Sequence, residues 1–279
     1  MQHQPKKKYG QNFLKDNNLL KAIVSQASLK DKNVIEIGPG KGALTQFIIP
    51  QAKHVLAYEI DFALKPFLVF PDSHKIDIIY DDFLKRDLSL DFATYFPIAS
   101  PGTKFSLISN LPYCITSPIL FKIIDTPQIN DATMMIQKEV GWHLMAKPNN
   151  KNYNALSVMI QFLFDIHKVK DVSRHMFFPQ PKVDSMVIKL ERKTTPLHFE
   201  SWALQQAFMK FVKASFKQKR KILLNNLAQQ FSLPKELIIL FLKQHNIPLN
   251  IRAEQITLEE FKKITLQWLL FAQQIQYNK

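Results

Sequence analysis

The sequence predicts an α/β fold: a doubly wound, mostly parallel sheet followed by a small helical domain. Three observations carry that prediction. Short apolar strand candidates alternate with helical stretches over the first two-thirds of the chain. Three of the six glycines fall in one pentapeptide, GPGKG (38–42), directly after the first of those strands. Beyond residue 196 only helical periodicity remains.

The strand candidates, in order, are KNVIEIG (32–38), HVLAYEI (54–60), KIDIIY (75–80), FSLIS (105–109), TMMIQ (133–137), VMIQFLF (158–164) and SMVIKL (185–190). The first five are separated by helical segments, as crossovers between parallel strands require. The last two follow one another without a long helix, which predicts a terminal antiparallel hairpin. The pattern changes around ERKTTPLH (191–198), and helical periodicity then covers 201–230, 233–245 and 257–275. The expected domains are therefore 1–196 and 197–279.

At 279 residues the chain has length for one large and one small domain. Its first residues, MQHQPKKKYG, lack the apolar stretch of a secretory signal, and no apolar run approaches the ~18 residues of a membrane span. Cys114 is the only cysteine, which excludes an internal disulfide and fits a reducing cytoplasm.

The formal charge is +14, and from Arg192 to Lys279 fourteen Lys/Arg stand against five Asp/Glu, which places +9 in the helical third. Such an excess points to a polyanionic partner, nucleic acid before anionic membrane. At about 100° per residue, Lys210, Lys213, Lys217, Arg220 and Lys221 share one face of a predicted helix. Phe208, Phe211, Val212, Phe216, Ile222 and Leu223 take the other. No acidic residue interrupts the basic face, so it is read as a contact for RNA phosphates.

GPGKG has neither the dinucleotide spacing Gly-x-Gly-x-x-Gly nor the Gly-Lys-Ser/Thr of a phosphate loop. The second strand ends in Tyr58-Glu59-Ile60-Asp61 and the third in Asp81-Asp82. A carboxylate about 20 residues after a glycine loop suits ribose hydroxyls. The combination fits an adenosine-bearing cofactor without phosphates, S-adenosyl-L-methionine, whose sulfonium tolerates nearby carboxylates. The fourth strand runs into SNLPYC (109–114). Asn and Pro there allow a plain turn, and Asn110 with Tyr113 equally allows a grip on something flat.

Seven segments decide between these. KKKYGQNFLKD (6–16), VIEIGPGKGALT (34–45), YEID (58–61), NLPY (110–113), FFPQPKVDS (177–185), FKQKRKILLNNL (216–227) and IRAEQITLEEF (251–261) occur in that order. Over almost the whole chain they resemble the bacterial small-subunit (16S) ribosomal RNA adenine N6,N6-dimethyltransferases. The resemblance implies a Rossmann-like class I S-adenosylmethionine-dependent methyltransferase sheet. It further implies that Asn12 and Leu14 close over the cofactor and that Gly38 and Gly40 admit its methionine part. By the same resemblance Glu59 holds the ribose, Asp82 the adenine amino group, and Asn110 stands between cofactor and substrate. The implied substrate is small-subunit rRNA in an assembling 30S particle, modified at two adjacent adenines near its 3′ end, and no metal is required.

The chemistry suits those residue types. The N6 of adenine is a poor nucleophile because its lone pair is delocalised into the ring. Acceptors at the Asn110 side chain and the Leu111 carbonyl favour pyramidal nitrogen and stabilise its developing positive charge. Tyr113 is placed to stack on the base, with Phe177, or alternatively Phe178, on the other face. The related large-subunit rRNA adenine methylases share these motifs. IRAEQITLEEF and KRKILLNNL match the small-subunit group better. A DNA adenine methylase and a non-catalytic assembly factor are the remaining alternatives.

Two positions depart from the family pattern: Cys114, read as a buried inert thiol, and Asn154, which stands where glycine is common. Lys147, Lys151 and the Lys6-Lys7-Lys8 run are open between RNA contact and solvent. A monomer is expected, since no apolar dimer stripe is evident.

Overall fold

A computed structural model describes residues 4–96, 102–194 and 201–277. In chain order the elements are β1 (Phe13–Leu14), α1 (Asn17–Ala27), β2 (Asn33–Ile37), α2 (Thr45–Ile48), β3 (His54–Tyr58), β4 (Ile76–Ile79) and α3 (Leu88–Tyr95). There follow β5 (Phe105–Asn110), α4 (Thr116–Ile124), β6 (Ile129–Gln137), α5 (Lys138–Leu144), α6 (Ala155–Leu163), β7 (Phe164–Val172), β8 (Phe177–Phe178) and β9 (Ser185–Arg192). The chain closes with α7 (Trp202–Ser215), α8 (Leu223–Phe231), α9 (Lys235–Gln244) and α10 (Leu258–Tyr277).

The main sheet has the order β4-β3-β2-β5-β6-β9-β7. Every pairing from β4 to β6 is parallel, and β9 enters antiparallel against β6. The strand order reverses between β2 and β5. In a doubly wound sheet the ligand crevice opens at that reversal, beyond the carboxyl ends of the strands. A hydrophobic cluster built on α1 (Leu19, Leu20, Ile23, Val24) packs with Val34, Val55 and Ile108 of the sheet. Asp16 starts that helix by accepting from Leu19 N at 2.8 Å. A second, two-stranded sheet pairs β1 with β8, setting Phe13 opposite Phe178 and Leu14 opposite Phe177.

Two compact units emerge: Met1–Gly141 with Asp165–Arg192, and Trp142–Phe164 with Lys193–Lys279. The helical unit thus takes in a segment that the sequence reading left in the first domain. The boundary read at residue 196 lies outside the described residues.

The structure corrects three element readings. VMIQFLF is not a strand: residues 155–163 form α6, buried nearly all round. A short continuous apolar run fits a buried strand and a buried helix equally, and periodicity does not separate them. The deciding signal is Asn154, whose side chain accepts from Leu156 N and Ser157 N while Ser157 Oγ accepts from Asn154 N. The departure from glycine at this position is a helix cap. The strand instead is β7, FDIHKVKDV, whose charged middle suits the sheet edge it occupies. Finally, 201–230 is two helices rather than one. From α8 the buried Asn226 accepts from Gln218 N and donates to Ser215 O and Gln218 O. That amide holds 216–222 out of helical geometry.

Candidate active site

The loop after β2 turns through three glycines with positive φ: Gly38 at 68°, Gly40 at 62° and Gly42 at 78°. Nothing lies within 4 Å of where a Cβ on Gly38 would stand, so glycine is required there for its left-handed backbone. The loop, the ends of β3 and β4, the turn after β5 and residues 9–14 line one pocket. Of the sequence-predicted residues it gathers Asn12, Leu14, Gly38, Gly40, Glu59, Asp82, Asn110, Leu111 and Tyr113.

Glu59 is buried at the end of β3, where Oε2 accepts from Gly40 N at 3.0 Å and Oε1 from Asp61 N at 2.8 Å. Burial raises its pKa. Asp82 Oδ1 caps the short turn after β4 by accepting from Leu84 N at 3.0 Å. Three acidic side chains at strand ends (Glu59, Asp81 and Asp82) line the pocket against one ammonium, Lys41, with the carboxyl of Glu36 behind them. Lys41 lies over the rings of Phe13 and Phe67. This donor set suits a cation and opposes a polyphosphate, so the residues present fit S-adenosyl-L-methionine.

Asn110 ends β5, and its Nδ2 donates to Asn12 O at 3.2 Å. With the amino side of the amide engaged, Oδ1 is left as the accepting side. Leu111 N donates to Met135 O at 3.1 Å, which anchors the turn to β6. Tyr113 is half-buried, its hydroxyl 2.7 Å from Ser185 Oγ at the start of β9, and burial raises its pKa. The 110–113 turn is therefore tied to the N-terminal segment, β6 and β9 at once.

Three expectations are met differently. Phe177 is buried in the core cluster with Leu14 and Leu19 and does not line the pocket. Its neighbour Phe178 is 56% exposed, with Lys15 Nζ 4.5 Å from the ring centre. In the β1–β8 pair the two side chains alternate, so only one of them packs inward. Cys114 is exposed, not buried, in the short turn Tyr113–Ile115. Of the basic cluster, Lys210 and Lys213 lie on α7, whereas Lys217, Arg220 and Lys221 lie in the 216–222 connection. All five are exposed, yet they do not form one helix face.

Sequence reasoning missed two features, one beside the pocket and one in its lining. Lys6 is an anchor: its Nζ lies 2.6 Å from Asp61 Oδ1, and Gln11 Nε2 donates to Asp61 Oδ2 at 3.0 Å. Asp61, 2% exposed, thereby straps residues 6–11 to the end of β3. The motif YEID contained this signal as a second acid behind Glu59. Glu36 is the other: it is 1% exposed within β2, and its Oε2 has no hydrogen-bond partner. A lone acid in an otherwise apolar parallel strand was its signal.

Among the described residues no helix is long and apolar enough to cross a membrane, and no group of His, Cys, Asp and Glu is arranged to hold a metal ion. Residues 2–268 match the family model for ribosomal RNA adenine dimethylase. The chain is 68% identical over 271 residues to ribosomal RNA small subunit methyltransferase A of Onion yellows phytoplasma (strain OY-M), covering 97% of this chain and 98% of that one. It is 40% identical to the protein of the same name from Mycoplasmopsis pulmonis (strain UAB CTIP), covering 94% and 98%. Among solved structures it is similar to a dimethyladenosine transferase from Plasmodium falciparum (TM-score 0.74, 24% identity, 93% and 98% covered). It is also similar to the 23S rRNA methyltransferase ErmE (TM-score 0.63, 26% identity, 91% and 98% covered).

Proposed function

The chain belongs to the ribosomal RNA adenine dimethylase family, and on that premise we propose that it dimethylates N6 of two adjacent adenines near the 3′ end of small-subunit rRNA. The methyl donor is S-adenosyl-L-methionine, which when bound supplies an activated methyl on its sulfonium. The substrate is the rRNA of an assembling 30S particle in the cytoplasm, and the enzyme works as a monomer.

One observation carries the assignment of roles: a prolyl turn at the reversal of strand order presents Asn110 beside the glycine loop. Asn110 Oδ1 and the Leu111 carbonyl accept the two N6 hydrogens, which draws the nitrogen lone pair out of the ring and offsets charge developing there. Tyr113, fixed through Ser185, gives the base a rigid face. Positioning supplies much of the rate, since no side chain has to act as nucleophile. Each transfer releases one N6 proton to solvent, and after the first one of the two acceptors holds the single hydrogen that remains. The exposed ring of Phe178, rather than Phe177, is the aromatic available to RNA on this side of the molecule.

Gly38, Gly40, Glu59 and Asp82 hold the cofactor, with Asn12 and Leu14 over it. Lys210, Lys213, Lys217, Arg220 and Lys221 contact RNA phosphates, with the last three presented by a loop. Transfer of tritiated methyl groups to unmethylated small subunits tests the reading. Label in two adjacent dimethyladenosines is expected. Label confined to large-subunit RNA, or specific binding without label, would overturn it.

A further inference from the structure

We propose that Lys122 is a positioning residue for the adenine end of the cofactor pocket, acting through the turn that begins at Asp82. The inference rests on the reading of Asp82 as the acceptor for the cofactor's amino group.

Lys122 lies on α4, the helix that follows the Asn110–Tyr113 turn. Its ammonium donates to three carbonyls of one short segment: Phe83 O at 2.8 Å, Leu84 O at 3.1 Å and Arg86 O at 2.6 Å. An ammonium has three hydrogens, and all three are accounted for. The same nitrogen stands 5.1 Å from the centre of the Phe83 ring. Asp82 and Phe83 line the pocket and Lys122 does not, so the lysine supports the wall from behind.

The ends of the clamped turn are held by other contacts, Phe83 being buried edge-on to the Tyr58 ring and Arg86 paired with Asp91 and Asp81. The carbonyls of Phe83, Leu84 and Arg86, by contrast, converge on the lysine. The turn is three residues of 3-10 helix, Phe83–Lys85, capped by Asp82 through Leu84 N. Short 3-10 turns have poor hydrogen-bond geometry of their own. Removing the ammonium leaves three carbonyls to find other partners, and the peptides carrying them define where the Asp82 carboxylate points. Because α4 starts three residues after Tyr113, the lysine also ties the amino-reading wall to the substrate turn.

The test compares binding of S-adenosylhomocysteine with that of S-inosylhomocysteine, in which a carbonyl replaces the amino group, by calorimetry on the full chain. The parental protein is expected to prefer the adenosyl compound, because the Asp82 acceptor meets an amino group in one and an oxygen in the other. Lys122→Met is expected to reduce that preference by about tenfold, with the loss confined to the adenosyl compound. Lys122→Gln, which keeps two donor hydrogens, is expected to fall between and serves if the methionine variant does not fold. A preference unchanged in the variants, whatever their melting temperature, would overturn the role of Lys122. Absence of any preference in the parental protein would instead overturn the reading of Asp82.

Discussion

Glu36→Gln isolates a single proton. Glu36 sits in the middle of the parallel sheet with Oε2 unpartnered, and burial pushes its carboxyl from 4.5 up to about 8. The Thr45 side chain opposes that shift, and the Glu59 carboxylate adds a smaller push upward. A carboxyl raised in the folded state binds its proton there while the unfolded chain has already lost it. Stability from this group is therefore complete below pH 4.5 and drains away as pH rises toward about 8. The full shift from 4.5 to about 8 amounts to about 5 kcal/mol, approached at a slope of about 1.4 kcal/mol per pH unit. Glutamine has nearly the same shape and carries no titrating proton. Urea unfolding of the cofactor-free protein, followed by circular dichroism from about pH 5.5 to about pH 7.5, is expected to give the variant a relative gain of about 2–3 kcal/mol across that range. Every other titrating group is common to both proteins and cancels in the difference. A difference independent of pH would refute the claim that Glu36 is buried as the neutral acid.

Four further outcomes follow from the site. Asn110→Ala is expected to lower kcat by about 10²–10³ while leaving S-adenosylhomocysteine affinity within a few-fold, since one acceptor at the reacting nitrogen is lost. Tyr113→Ala is expected to raise KM for the small subunit by about 10–100-fold, as single-turnover and steady-state assays would separate, with Tyr113→Phe far milder because the ring remains. Asp61→Asn releases the strap on Lys6 and Gln11, and calorimetry should find cofactor affinity reduced several-fold with the RNA interaction unchanged. Replacing Lys217, Arg220 and Lys221 together by Ala is expected to reduce the salt slope of log K for rRNA binding by about 2–3, because the three phosphate contacts no longer release counterions.

The parts of the fold legible in the sequence are those where one local pattern has one structural meaning. The first five strand readings all fall on strands of the sheet, although only 3-10 turns and loop, not an α-helix, join β3 to β4, and their carboxyl ends bring the glycine loop, Glu59, Asp82 and Asn110 into one pocket. VMIQFLF (158–164) reads as a strand but lies almost wholly in α6 (Ala155–Leu163), because an apolar run of that length satisfies a buried helix as well as a buried strand. β7 was missed for the opposite reason, since an edge strand tolerates charge and loses its alternation. The basic helix face failed because helical periodicity continues across 216–222 even though Asn226 holds that segment open from a distance.

The residues that sequence reasoning overlooked share one property. Asp61, Lys122 and Asn226 each make several polar contacts to another segment, and none touches a reacting atom in the proposed chemistry. A residue that reads a ligand stands in a motif because the ligand fixes its spacing to its neighbours. A residue that holds a loop obeys the geometry of the folded chain, so even where it stands beside a motif its partner lies elsewhere in the sequence: Asn226 and Ser215 are 11 apart, Lys122 and Phe83 39 apart, Asp61 and Lys6 55 apart. Yet the accuracy demanded of the reading residues passes directly to the holding ones. An acceptor displaced by about 1 Å from the N6 hydrogens costs as much rate as an acceptor removed. In this chain the cofactor wall, the N-terminal strap and the basic connection are each held by one such side chain, and it is there that neutral-looking substitutions should cost activity without touching a reacting atom.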